Sequence, residues 1–390
     1  MSDDVPALRP GRPDSVSLYV HVPFCASKCD YCDFESHAID PSASGVFAEY
    51  RSTTMREVRV REAQGLLSEV PSIYVGGGTP TLLGDELPAL VRDLRSLVGV
   101  ATDAEVSVEA NPDSLDERLA EALLDAGVTR VSLGVQSLDD AVLRRLGRRH
   151  DAAAALRAAS SLERSGLRFS LDLICGVPEQ STASWEETVT RAVETGAGHV
   201  SVYPLIVEEG TPLGARIDAG REQDTDADAA AEQMSLAARI LADGGMARYE
   251  VASYARPGEE CRHNIRYWTG GAYVGVGPSA ASMLPSRLAA LAGMVAPDGG
   301  ARVRFTDSDE PEWLTCEEAL REDAMLGLRL ARGIDAGLAG SAGVETVLAD
   351  LAASGLVELT RGAGEADRWR PTVRGWLLGN EVFGRVWAGE

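Results

Sequence analysis

The sequence predicts an α/β protein in which helices and strands alternate around a parallel sheet, followed by a smaller, mainly helical module. Two observations carry this. From residue 15 to about 205, short β-rich runs alternate with longer amphipathic segments rich in Ala, Leu, Arg and Glu, the pattern of βα units in a β/α barrel. Beyond a segment from about 284 to 312 that is rich in Ala, Gly, Pro and Asp, the alternation gives way to helical spacing.

Taken in order, six strands are expected over 18–22, 73–75, 105–109, 130–135, 168–173 and 199–204. Helices are expected near 45–68, 85–98, 116–126, 139–164 and 181–196. Most of these strands end in a glycine or a polar residue, and in β/α barrels the site gathers at those ends. Residues 223–243 read as a further helix and 248–254 as a further strand. The tail carries helical spacing over 317–330, 344–354 and 371–383. Runs at 356–360 and 368–370 flank Gly362 and Gly364 as a two-stranded wing, which gives a winged-helix outline. The expected division is therefore 1–290 for the barrel with its extension and 291–390 for the module.

A chain of 390 residues has room for two or three such units. Its net charge of -23 excludes a surface built to coat nucleic acid, because phosphate binding depends on clustered Lys and Arg. That argument also turns the winged helix toward packing or partner contact rather than DNA. The chain has only six cysteines, three of them widely dispersed, no apolar stretch approaches 18 residues, and no apolar run follows the first residues. A reduced, cytoplasmic protein with no transmembrane segment is expected.

The densest chemistry lies just after the first strand. Cys25, Cys29 and Cys32 fall within eight residues, three of the chain's six cysteines. Thiolates this close repel one another and oxidise readily unless a soft metal centre holds them. An iron–sulfur cubane takes four ligands, so three from one loop leave one iron open for a non-protein ligand. The competing assignment is a zinc knuckle, for which His37, five residues past Cys32, is the nearest fourth ligand.

Other motifs sit at strand ends. Gly76-Gly77-Gly78-Thr79-Pro80 follows the second strand and reads as a binding loop that lets a ligand approach the backbone and exposes its N–H groups. Glu109-Ala110-Asn111-Pro112 ends the third strand, Gln136 ends the fourth, and Asp172 lies inside the apolar fifth. A carboxylate there needs partners or a ligand. Arg144, Arg145, Arg148 and Arg149 form a basic run around Gly147, most of it a solvated helix face, with one guanidinium free to pair with a ligand carboxylate. Further on, Cys261-Arg262-His263-Asn264-Ile265-Arg266-Tyr267-Trp268 precedes a glycine-rich run. It reads either as a wall for a flat, partly anionic ligand such as a porphyrin, or as a satisfied histidine beside an aromatic cluster. Cys175 and Cys316 read as packing.

With these residues assembled, Tyr19-Val20-His21-Val22-Pro23-Phe24-Cys25-x3-Cys29-Asp30-Tyr31-Cys32 resembles the cluster motif of radical S-adenosylmethionine (SAM) proteins. The further segments Gly-Gly-Gly-Thr-Pro-Thr, Glu-Ala-Asn-Pro, Ser-Leu-Gly-Val-Gln-Ser and His-Asn-Ile-Arg-Tyr-Trp resemble the oxygen-independent coproporphyrinogen III oxidase family, in its HemW branch, over essentially the whole chain. The resemblance implies a partial (β/α)6 barrel with a C-terminal winged-helix-like, HemN-type module. It implies that Cys25, Cys29 and Cys32 bind a [4Fe-4S] cluster whose fourth iron is chelated by SAM, and that an electron from the cluster splits SAM to a 5′-deoxyadenosyl radical and methionine. Tyr19, Gly77, Gly78, Thr79, Glu109, Gln136, Arg148 and Asp172 are the SAM contacts it implies, with Arg148 on the SAM carboxylate and Tyr31 packed beside the cluster. Phe34 stands where the decarboxylating enzymes carry an additional cysteine, and the first strand begins after only about fifteen residues. Both features resemble the heme chaperone branch. That branch implies heme as cargo, respiratory hemoproteins as recipients, transient membrane contact, and His263 as heme ligand with Cys261 as its competitor. The alternative implied functions are oxidative decarboxylation of coproporphyrinogen III and another porphyrin-directed radical SAM reaction. Whether SAM is cleaved and whether the chain forms a homodimer stay open at this stage.

Overall fold

The computed structural model describes residues 15–361 and 366–390, apart from 41, 43 and 307. Six parallel strands form its centre: β1 (Ser17–Val22), β2 (Val70–Gly77), β3 (Val100–Ala110), β4 (Arg130–Gln136), β5 (Arg168–Cys175) and β6 (His199–Pro204). Beyond them lie β7 (Ala247–Arg248), β8 (Ser253–Ala255), β9 (Tyr273–Val276), β10 (Ser282–Pro285), β11 (Gly300–Phe305) and β12 (Glu312–Thr315). The strand order is β12-β11-β10-β9-β1-β2-β3-β4-β5-β6-β8-β7, so the sheet is open, with β7 and β12 at its edges. Strand β9 pairs in parallel with β1, which adds a seventh parallel strand that the sequence reading did not foresee.

Residue alternation along the strands separates two faces. Leu18, Val20, Val22, Ile73, Val75, Val106, Val108, Val131, Leu133, Leu171, Leu173, Val200 and Val202 are at most 1% exposed, and they pack in one core with residues of the outer helices such as Leu87, Leu90, Leu119, Leu162 and Val189. Side chains at every second position of a strand share a face. The intervening positions therefore form the barrel interior, and they are polar: Tyr19, Tyr74, Ser107, Glu109, Ser132, Ser170, Asp172 and Ser201. In register, Tyr19 lies opposite Tyr74, Gly134 opposite Asp172, and Asp172 opposite Ser201. An interior of small polar groups in place of branched apolar ones leaves room at the strand ends for a ligand.

The expected helix over 139–164 is two helices, Asp140–Arg145 and Ala152–Ser165. Gly147 takes a positive φ of 70° between them, and Asp151 caps the second by accepting from the Ala154 N–H. This break places Arg148 in a turn rather than on a solvated helix face. The segment expected to be irregular over 284–312 instead forms β10, a short helix Ser286–Leu291, β11 and the start of β12. The sheet therefore runs past residue 291 and ends at Thr315. A separate apolar core then begins in the helix Cys316–Gly327 and includes Ala324, Leu328, Val347, Leu351, Val382 and Val386. A three-stranded sheet, Val357–Thr360 and Ile334–Asp335 on either side of Arg368–Pro371, supports this module. The tip of the wing at 362–364 lies outside the described residues. Trp376 fastens the module to the barrel: its indole N–H donates to the Val251 carbonyl at 2.7 Å, and the Arg248 guanidinium lies 4.6 Å from its ring.

Candidate functional site

Pro23 ends β1, and Phe24–Cys25 then forms a two-residue strand beside His37–Ala38. The His37 N–H donates to the Pro23 carbonyl and the Ile39 N–H to the Cys25 carbonyl, so both ends of the intervening loop are clamped. Within it the Cys32 N–H closes a turn onto the Cys29 carbonyl at 3.2 Å. Asp30 moors the loop from outside by accepting from the Arg216 guanidinium at 2.6 Å. All three cysteines are free thiols, partly exposed, and face a cavity of about 550 Å³ at the C-terminal ends of the parallel strands. The Thr79 hydroxyl lies 3.6 Å from Cys25 Sγ, and Arg148 Nη1 lies 3.2 Å from Cys29 Sγ. Among the described residues no three His, Cys, Asp or Glu side chains converge on one ion. A cubane asks for a wider triangle, since each thiolate binds a different iron. His37 is exposed and lies 3.8 Å from Glu35, turned to its own neighbour.

The cavity floor comes from the polar barrel face. Glu109 accepts from the Tyr74 hydroxyl at 2.8 Å and from the Gly77 N–H at 2.9 Å. Burial pushes its carboxyl up to about 7, and the two hydrogen bonds oppose that rise. Asp172 accepts from the Ser132 hydroxyl at 2.9 Å, and burial raises its carboxyl above the ordinary range as well. Gln136 sits at an irregularity in the β4–β5 register with a positive φ of 66°, a conformation that non-glycine residues rarely take. Its amide Nε2 and Asn111 Oδ1 lie over Gly134, where a Cβ would come within 2.9 and 3.1 Å of them. Arg148 Nη2 donates to Asn111 Oδ1 at 2.8 Å and to the Gly134 carbonyl at 3.0 Å, while its buried Nε has no partner.

The structure therefore brings Cys25, Cys29, Cys32, Gly77, Gly78, Thr79, Glu109, Gln136, Arg148 and Asp172 around one cavity. The glycine run differs from expectation in one respect. The N–H groups of Gly77, Gly78 and Thr79 are bonded within the protein, to Glu109, the Val22 carbonyl and the Phe24 carbonyl. The glycines are needed for close packing: a Cβ on Gly77 would meet the His21 ring at 2.5 Å, and one on Gly78 the Phe24 carbonyl at 2.6 Å. Tyr19 stands behind the wall, its hydroxyl 2.9 Å from His21 Nδ1 and its ring stacked on Tyr74.

His263 is not brought to this cavity. It is 1% exposed; Nδ1 lies 2.8 Å from the Ser72 hydroxyl and Nε2 lies 2.8 Å from the Tyr267 hydroxyl. Ser72 lies in the N-terminal half of β2, so His263 lies toward the opposite end of the barrel, and burial holds its imidazole neutral, down to about 3. Cys261 is equally enclosed beside Glu105, with its thiol pushed up to about 12 by burial. Sequence reasoning missed Asn111 as the link between Thr79 and Arg148, although it lies just past the end of β3, two residues after Glu109. It also missed the wall formed by Tyr203 and Pro204 at the end of β6 and Leu205 and Ile206 just past it.

Comparison with known proteins bears on this geometry. Residues 19–192 match the radical SAM superfamily. The chain is 37% identical to the heme chaperone HemW of Mycobacterium tuberculosis, over 97% of this chain and 96% of that protein. This chain belongs to the HemW family of radical SAM proteins. It is also 38% identical to HemW of Escherichia coli over 67% of this chain and 68% of that protein. Coproporphyrinogen III oxidase (HemN) of Escherichia coli shares the fold, with a TM-score of 0.74 over 97% of this chain and 91% of that one, at 22% identity. Radical SAM membership implies a [4Fe-4S] cluster and SAM, and the residues present fit both. Three thiols rim the cavity, Gly134 leaves its floor open, and the unpartnered Arg148 Nε offers a donor to a carboxylate. Among the described residues no helix is long and apolar enough to cross a membrane.

Proposed function

We propose that this chain is a heme chaperone: it binds heme beside a SAM-chelated [4Fe-4S] cluster and hands the heme to hemoproteins of the respiratory chain. The observation that carries this is the likeness to heme chaperone HemW along nearly the whole chain, joined to a cavity lined by the three loop cysteines. In this reading Cys25, Cys29 and Cys32 hold the cluster, which supplies one-electron chemistry or a fixed anchor for SAM. Gly77, Gly78, Thr79, Glu109, Gln136, Arg148 and Asp172 bind and orient SAM. Ionised Glu109 and Asp172 meet its positive charges, and Arg148 meets its carboxylate. Tyr19 acts at one remove, by fixing His21 and Tyr74 behind Gly77 and Glu109.

The heme ligand expected from the sequence changes. Both nitrogens of His263 are bonded within a buried chain from Ser17 through Ser72 to Tyr267, and a heme iron would have to break one of those bonds to reach it. His263 is therefore read as a strut: its ring lies 5.1 Å from that of Tyr74, which in turn holds Glu109. Phe34 is 62% exposed on the cavity rim, and the motif resemblance places the decarboxylases' additional cysteine at this position. The test is anaerobic incubation of cluster-loaded protein with SAM, a reductant and coproporphyrinogen III. No sustained formation of protoporphyrinogen is expected, and multiple turnover would overturn the chaperone reading.

A further inference from the structure

The chain carries thirty-six arginines and a single lysine, Lys28. In a composition so strongly turned toward arginine, the one ammonium stands between Cys25 and Cys29, exposed, and lines the cavity rim. Among the described residues no carboxylate forms an ion pair with it. An ammonium on a four-carbon stem is a compact, mobile point charge, able to follow an anionic group at an opening in a way that a planar guanidinium does not.

The same rim gathers exposed apolar surface. Phe34 is 62% exposed, Ile206 64% and Tyr203 42%, and all three line this cavity along with Pro204 and Leu205. Large apolar side chains left in water around one opening mark a binding surface. Asp33 and Glu208 also line the cavity, so an anionic ligand is favoured only in the orientation that turns its acidic edge toward Lys28. The geometry points to a cavity-mouth site in which the planar face of a carboxylate-bearing porphyrin rests on Phe34, Tyr203 and Ile206 while a propionate pairs with Lys28.

This inference rests on the heme reading above and locates its cargo. The site keeps the porphyrin at the mouth, outside the space that cluster and SAM fill, and away from His263. It also gives a chain with net charge -23 a positive anchor at the cavity mouth for an anionic ligand, beyond Arg148, which this reading gives to SAM.

The test is anaerobic titration of the cluster-loaded protein with heme and, separately, with heme dimethyl ester, whose propionates carry no charge. Wild type, Lys28→Met, Lys28→Arg and a Phe34→Ser/Ile206→Ser pair are compared. Lys28→Met is expected to weaken heme about tenfold and to leave the ester unchanged, since it removes one charge-assisted contact and keeps the stem. Lys28→Arg is expected to restore only part of that loss, because it returns the charge without the compact, mobile head. The apolar pair is expected to weaken heme and ester alike. Cluster absorbance and SAM affinity are followed in each variant and are expected to match wild type. Equal heme affinity in wild type and Lys28→Met overturns the assignment, as does an equal loss for the ester or a loss that merely tracks loss of cluster. Absence of heme binding in wild type overturns the heme reading and this site together.

Discussion

Glu109→Gln is expected to stabilise the SAM-free protein above neutral pH while weakening SAM binding. Glu109 is held by the Tyr74 hydroxyl and the Gly77 N–H, yet burial still raises its carboxyl from 4.5 to about 7. A folded-state value above the unfolded one means that the native protein binds the extra proton between the two. The stability this group contributes is complete below about pH 4.5 and is lost as pH rises through 7. The gap corresponds to about 3 kcal/mol at pH 8, taken as an upper figure. Glutamine has no charge to desolvate and keeps an acceptor for the Gly77 N–H. With an unfolding entropy of about 2.1 cal/mol/K per residue, the variant should melt about 4 °C above wild type at pH 8, and the two should converge near pH 5. The assay is thermal unfolding across that pH range, paired with SAM binding at pH 8, which should fall about tenfold with the loss of the carboxylate. A variant less stable than wild type at pH 8, or a difference independent of pH, would refute the reasoning.

Other perturbations separate the parts of the site. Cys25→Ser, Cys29→Ser and Cys32→Ser should each lose the iron–sulfur absorbance after anaerobic reconstitution, whereas Cys175→Ser and Cys316→Ser should keep it. Arg148→Gln, which abandons Asn111, the Gly134 carbonyl and Cys29 together, should weaken SAM by more than about tenfold in equilibrium binding, and Arg148→Lys should recover only part of that because it lacks the planar fork. His263→Ala should keep heme stoichiometry in an absorbance titration yet cost about 1–3 kcal/mol in denaturant unfolding, because it takes from the Tyr267 hydroxyl its His263 partner and from Ser72 one of its two, Ser17 being the other. Trp185→Ala should cost about 3–5 kcal/mol by the same measurement, since that side chain is fully buried and its indole N–H bonds the Gln233 carbonyl.

The parallel centre of the fold was legible because its strands carry Val, Ile and Leu at alternate positions between amphipathic helices, and all six expected runs overlap β1 to β6. The antiparallel extension was not. Arg302 and Arg304 alternate with buried Val303 in β11, and both arginines pair with Glu322 of the next helix, so charged residues with distant partners read locally as a surface excursion. The cavity wall was legible where motif and strand end coincide, as at Gly77, Glu109 and Asp172. At His263 the sequence left two readings open, because a histidine among aromatic and arginine residues suits a ligand wall and a buried polar chain equally. Only the distances to Ser72 and Tyr267 separate the two. Gln136 stood out by position alone, and its positive φ and register shift are properties of the fold that no spacing announces.

The measurement that bears most directly on the central claim is heme handover. Protein loaded with its cluster, SAM and one equivalent of heme is mixed anaerobically with a heme-free respiratory hemoprotein in membrane vesicles, and the recipient's reduced-heme spectrum is followed. Heme is expected to leave this chain and rebuild the recipient faster than an equal amount of free heme does, with SAM unconsumed. Retention of heme by the chain, or reconstitution no faster than from free heme, would contradict that claim.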